Sequence, residues 1–260
     1  MTGTAQLAAG PSPLWYATRA GGTVALLLLT ATVVLGIAAG GRYAPKRLAR
    51  FEIGALHRNL SLLTLAFLAL HITTAIADTY VHLTWLDALV PFAASYRPLW
   101  LGLGALAFDL LLAVLLTSAV RLRIGPRRWK AVHWLAYASW PLALFHGAGA
   151  GTDTRLSLQL FLTGGCLAVV VAAVWWRLYR AGPGHRTGRL WAALSVGAVP
   201  VVLTVFLASG PLKAGWAHRA DGTAPHASVT APAAAAPAGP SANPAANPPT
   251  DGDDRTGDTE

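Results

Sequence analysis

His57 and His71 stand 14 residues apart in GALHRNLSLLTLAFLALHITTAIAD, and His133 and His146 stand 13 apart in WKAVHWLAYASWPLALFHGAGAG. Neutral imidazole is a common metal ligand and a good axial ligand for haem iron. Each pair nearly spans one membrane-length helix. Two such helices could hold two haems, one above the other, and that arrangement is an electron path across a bilayer. A single histidine in an apolar helix is as well explained by packing. Four at matched spacings, without acidic partners in the same spans, are not, because ionisable groups inside a membrane are costly and usually functional.

The elements that must position these histidines are membrane spans. The chain has 260 residues, 54% of them hydrophobic and 12% charged. Soluble domains carry roughly 25% charged residues. The net charge of +9 does not gather into one basic patch, so nucleic acid is not expected as a partner. The bases fall instead in short clusters between apolar runs. The lone cysteine, Cys166, excludes an intramolecular disulfide and any four-cysteine metal site.

A span needs about 20 apolar residues. Six segments qualify, near 22–40, 55–77, 98–120, 130–149, 157–178 and 189–209. The expected fold is therefore an all-α membrane protein, a six-transmembrane-helix bundle over 22–210 with haem sites between helices 2 and 4. A short extracytoplasmic N-terminus (1–21) precedes it. An Ala/Pro-rich, acidic-ended tail (211–260) follows, too poor in apolar residues to build a core. Segment 78–97 suits the outer membrane surface, with Tyr80, Trp85, Phe92 and Tyr96 at the interface.

Basic residues set the orientation. Arg42, Lys46, Arg47 and Arg50 follow the first span. Arg121, Arg123, Arg127, Arg128 and Lys130 separate the third and fourth, and Arg177, Arg180, Arg186 and Arg189 the fifth and sixth. With Arg58, these are 14 of the 20 Lys and Arg, which places the segments that carry them in the cytoplasm. Both termini are then extracytoplasmic, in the cell membrane. Spans two and four run the same way, so His57 matches His133 in depth and His71 matches His146. At 1.5 Å per residue the two levels lie roughly 20 Å apart.

Helical phase is less simple. A 14-residue step returns to within about 40° of one face, whereas a 13-residue step misses by about 140°. Pro141 lies between His133 and His146, and a kink there would correct the phase.

The paired H-x13-H and H-x12-H patterns on two co-oriented helices resemble the ferric reductase-like transmembrane domain. That superfamily includes ferric reductases, NADPH oxidases and the haem-binding subunit of a methionine sulfoxide reductase system. The resemblance covers roughly 20–210, and WLDALVPFAASYRPLWLGLGALAFDLLL and FHGAGAGTDTR are similar to bacterial members. It implies two b-type haems, with His57 and His133 as axial ligands of the inner one and His71 and His146 of the outer. Such ligation leaves no open iron position and favours outer-sphere transfer. The implied activity is electron transfer to an extracytoplasmic acceptor, as the haem-bearing component of an oxidoreductase.

Ferric reductases and NADPH oxidases usually continue into a flavin and nicotinamide domain. Here no G-x-G-x-x-G lies between a strand and a helix; GLGAL (102–106) falls in a span and GAGAG (147–151) in a loop. FAD or FMN and NAD(P)H are therefore expected only through a partner. A separate flavoprotein or a quinol would be the donor, and an extracytoplasmic redox protein a further partner.

Haem propionates want cationic contacts. Arg58 and Lys130 are candidates at one face, Arg97 and Arg155 at the other, against ordinary interfacial anchoring. Trp134 and Trp140 are candidates for haem packing, though such residues more often form an aromatic belt. Asp109, mid-span, suits a structural hydrogen bond better than proton uptake. Gly147, Gly149 and Gly151 would admit a porphyrin edge or merely form a turn. His82 fits neither pair, and His185, His218 and His226 fall in loop or tail. The rival reading is a metal-ion transporter, or another metal-binding membrane protein, whose histidines line a pore. It requires clustered ligands at one depth, joined by carboxylates or thiolates.

Overall fold

The computed structural model describes residues 12–40, 50–78, 81–150, 156–180, 186–213 and 216. All regular structure among them is helical: α1 (Pro13–Gly40), α2 (Arg50–Ala77), α3 (Trp85–Leu89), α4 (Pro98–Ala119), α5 (Arg121–Ile124), α6 (Pro126–His133), α7 (Leu135–Ala150), α8 (Ser157–Arg180) and α9 (Arg186–Ser209). Five of these contain a segment long and apolar enough to cross a membrane: α1, α2, α4, α8 and α9. The protein is a multi-pass membrane protein.

The first helix begins at Pro13, well before the apolar run expected to start near residue 22. Ser12 makes that possible: its Oγ accepts the Trp15 N–H at 3.0 Å, and proline at the first helical position sacrifices no hydrogen bond. Proline at the helix start also opens α4 at Pro98 and α6 at Pro126, there without a side-chain cap. Gly125 precedes Pro126 at φ 81°, a conformation that glycine adopts without a Cβ penalty.

The fourth apolar segment, expected as one span over 130–149, is divided. The helix breaks at Trp134, between α6 and α7. The Tyr137 N–H reaches back only three residues, to the Trp134 carbonyl at 3.0 Å. Such a turn winds about 120° per residue instead of 100°. Pro141 lies inside α7 without interrupting it.

Between Asp78 and Arg97 stands a single helical turn, α3. Thr84 and Asp87 cap it reciprocally, the Thr84 Oγ1 accepting the Asp87 N–H and the Asp87 carboxylate accepting the Thr84 N–H. Trp85 and Phe92 remain exposed.

Helix α1 packs along α2, and α4 along α7; α1 also touches α7 and α8, and α8 touches α9. The core gathers Leu29, Val33, Ile37, Trp140, Leu144, Ala148, Cys166, Val170 and Leu203 from α1, α7, α8 and α9. Trp140 belongs to it, its Nε1 donating to the Thr30 Oγ1 at 2.9 Å. Leu62, Leu70, Phe161, Val201 and Val205 are exposed, as lipid-solvated side chains are.

Candidate haem-ligand site

The structure brings the four histidines together in the two pairs expected from depth. The ring centres of His57 and His133 lie 6.3 Å apart with an interplanar angle of 64°. Those of His71 and His146 lie 6.2 Å apart at 74°. Two metal–imidazole bonds of about 2.0 Å, with about 1.1 Å from each nitrogen to its ring centre, sum to about 6.2 Å. Each pair is thus spaced for one metal ion held between two rings. His133 and His146 do not diverge despite their 13-residue separation, and the break at Trp134 lies between them.

Three of the rings are tied down in the same way. The Nδ1 of His71 lies 2.7 Å from the Thr18 carbonyl, that of His57 3.1 Å from Thr32, and that of His146 2.8 Å from Trp100. A carbonyl can only accept, so Nδ1 carries the hydrogen and Nε2 keeps its lone pair for a metal. Metal-bound histidines are usually oriented by such a bond, which also makes them stronger ligands.

Each of these carbonyls stands four residues before a glycine: Thr18 before Gly22, Thr32 before Gly36, Trp100 before Gly104. In an α-helix the N–H of residue i+4 already bonds carbonyl i, whose second lone pair is open to a side chain only if the nearby surface is low. A Cβ on Gly104 would fall 2.6 Å from the His146 Nδ1, and one on Gly22 2.9 Å from the His71 Nδ1. At Gly36 it would meet the His57 Cε1 at 3.5 Å, an ordinary contact. Helix-interior glycine costs roughly 0.5–1 kcal/mol relative to alanine, and here it admits an imidazole to the backbone.

Reading the histidines alone misses these glycines, which lie against the rings. A signal was present: Gly22 and Gly36 are 14 residues apart, as are His57 and His71. Antiparallel partner helices keep such spacings in step.

His133 differs. Its Nδ1 is buried and has no hydrogen-bond partner among the described residues. Its ring lies against that of Trp129, with centres 5.0 Å apart at 30°.

The remaining candidates fall in varied places. Arg58 and Lys130 are exposed, beside His57 and near His133 in sequence. Arg97 is only 1% exposed, and its Nη1 donates to the Ala150 carbonyl at 3.0 Å and the Gly149 carbonyl at 3.4 Å. It thus caps the C-terminus of α7, where a positive charge is favourable. Arg155 and Gly151 lie outside the described residues. So do His185, His218 and His226 and nearly all of the tail.

Trp134 is 61% exposed and stacks on Tyr137. Gly149 lies flat against the Trp100 ring, where any Cβ would clash. That ring also packs on Phe206 and Trp216. Asp109 is half-buried on α4, and its carboxylate makes no hydrogen bond among the described residues. No three His, Cys, Asp or Glu among the described residues are grouped to hold a metal ion.

Residues 21–144 match the family model described as ferric reductase like transmembrane component. The matched segment contains Gly22, Gly36, Gly104, His57, His71 and His133, and stops two residues short of His146. Neither the curated proteins nor the solved structures yield a match.

Proposed function

Residues 21–144 belong to the ferric reductase-like transmembrane family, and from that premise we propose that this chain conducts electrons across the cell membrane through two b-type haems. His57 and His133 would hold the haem at the inner level, and His71 and His146 the one at the outer. The observation that carries this reading is the pair of ring separations, 6.3 and 6.2 Å. When bound, haem iron supplies a one-electron couple at each level. The chain's own residues do the rest. The Thr18, Thr32 and Trp100 carbonyls hold three imidazoles in one tautomer and one orientation. Gly22 and Gly104 grant two of those rings access. Apolar helix surfaces keep water out of the low-dielectric path between levels.

The segment divided at Trp134 crosses the membrane as α6 and α7 together, giving six spans with both termini outside. A separate flavoprotein or a quinol delivers electrons at the inner face. They leave to an acceptor or redox partner on the outer side. Arg58 and Lys130, close in sequence to His57 and His133, would meet haem propionates at the inner face.

The test is a dithionite-reduced minus oxidised visible spectrum of purified protein, with haem per chain quantified. Two b haems per chain are expected, and each of His57→Ala and His71→Ala should remove one. A chain that takes up no haem when expressed with haem supplied discards this function.

A further inference from the structure

The helices carrying the histidines and those holding them form two matching halves. In the first, α1 offers Thr18/Gly22 to His71 and Thr32/Gly36 to His57, with 14 residues between the two seats. In the second, α4 offers Trp100/Gly104 to His146. Fourteen residues further along α4 stand Val114 and Ser118, where the seat for His133 belongs.

That fourth seat is filled by other groups. Position 118 is serine, and its Oγ accepts the Trp129 Nε1–H at 3.2 Å. The Thr117 hydroxyl donates to the Ala113 carbonyl at 2.7 Å, with the Val114 carbonyl a longer second contact at 3.2 Å. Trp129 then lies against the His133 ring, and the buried His133 Nδ1 is left without an acceptor. The level of His71 and His146 has two carbonyl-bonded imidazoles; the level of His57 and His133 has one.

We infer that Ser118 and Trp129 are tuning residues that make the two levels electrically unequal, with the His57/His133 level at the more positive reduction potential. The inference rests on the haem-binding reading above. An N–H···O=C bond pushes electron density onto the metal-binding nitrogen and favours the oxidised, more positive ion. Its absence at one ligand favours the reduced ion at that level. Removing such a partner commonly changes metal affinity by tenfold or more. A tenfold difference between the two oxidation states corresponds to about 59 mV for one electron.

The experiment is a potentiometric titration followed by the visible spectrum, on the full chain in lipid nanodiscs. His71→Ala isolates the His57/His133 level, and His57→Ala isolates the other. The level retained in His71→Ala should titrate at the more positive potential. Ser118→Gly, which restores the missing glycine and releases Trp129, should move only that level to more negative potential. Two haems with equal or reversed potentials would overturn the inference and leave the electron conduit standing. So would a Ser118→Gly protein that binds both haems with unshifted potentials. Absence of haem from the parent protein overturns both.

Discussion

At the scale of single residues, an imidazole is placed by what touches its far side. His71 and His146 sit against carbonyls reachable only because Gly22 and Gly104 lack a side chain. Gly22→Ala and Gly104→Ala should therefore push these rings off their acceptors. Haem retention at that level should weaken by roughly 10- to 100-fold, the usual cost of a lost outer partner. Gly36→Ala places its Cβ at 3.5 Å from the His57 ring. It should leave haem content unchanged and stabilise α1 by about 0.5–1 kcal/mol. Haem per chain, measured by pyridine haemochrome after detergent washing, checks all three. Equal losses from Gly36→Ala and Gly104→Ala would show that helix packing, and not access to the carbonyl, sets the requirement.

At the scale of the elements, the question is how a 13-residue interval aims two histidines at one neighbouring helix. The proline between them is the evident sequence candidate for correcting the phase. The structure instead breaks the helix at Trp134 and carries α7 through Pro141. The turn at Trp134 lies between two anchored tryptophans. On one side of it Trp129 is anchored to Ser118 of α4, and on the other Trp140 is anchored to Thr30 of α1. Pro141→Ala restores one backbone hydrogen bond and should leave both haem levels occupied, with spectra indistinguishable from the parent. Loss of the His71/His146 haem from that variant would return the phase correction to the proline.

At the scale of the whole molecule, the prediction concerns orientation. The buried Cys166 is the one native thiol, so Cys166→Ser gives a clean background for labelling. In it, Arg127→Cys should react with an impermeant maleimide only from the cytoplasmic side. Trp85→Cys should react only from outside. Both native residues are exposed, and α4 alone lies between them as a candidate span. Reaction of both from one side would show that α4 does not cross. Reaction from the opposite sides would invert the bundle and exchange the inner and outer levels.

Composition and hydropathy alone determined that this is a helical membrane protein, because a bilayer demands long apolar segments whatever their neighbours. The depth pairing of the four histidines was also legible, since helical rise converts sequence interval directly into height. Rotation about the helix axis was not. It depends on where a helix breaks, and the break falls at Trp134. The seats behind the rings were hidden too. A carbonyl that accepts an imidazole 53 residues away is a backbone group common to every residue, and only the packing of α1 on α2 selects Thr18. The filled seat opposite His133 is a fact of tertiary structure as well, because Ser118 is an ordinary helix residue until Trp129 is placed against it.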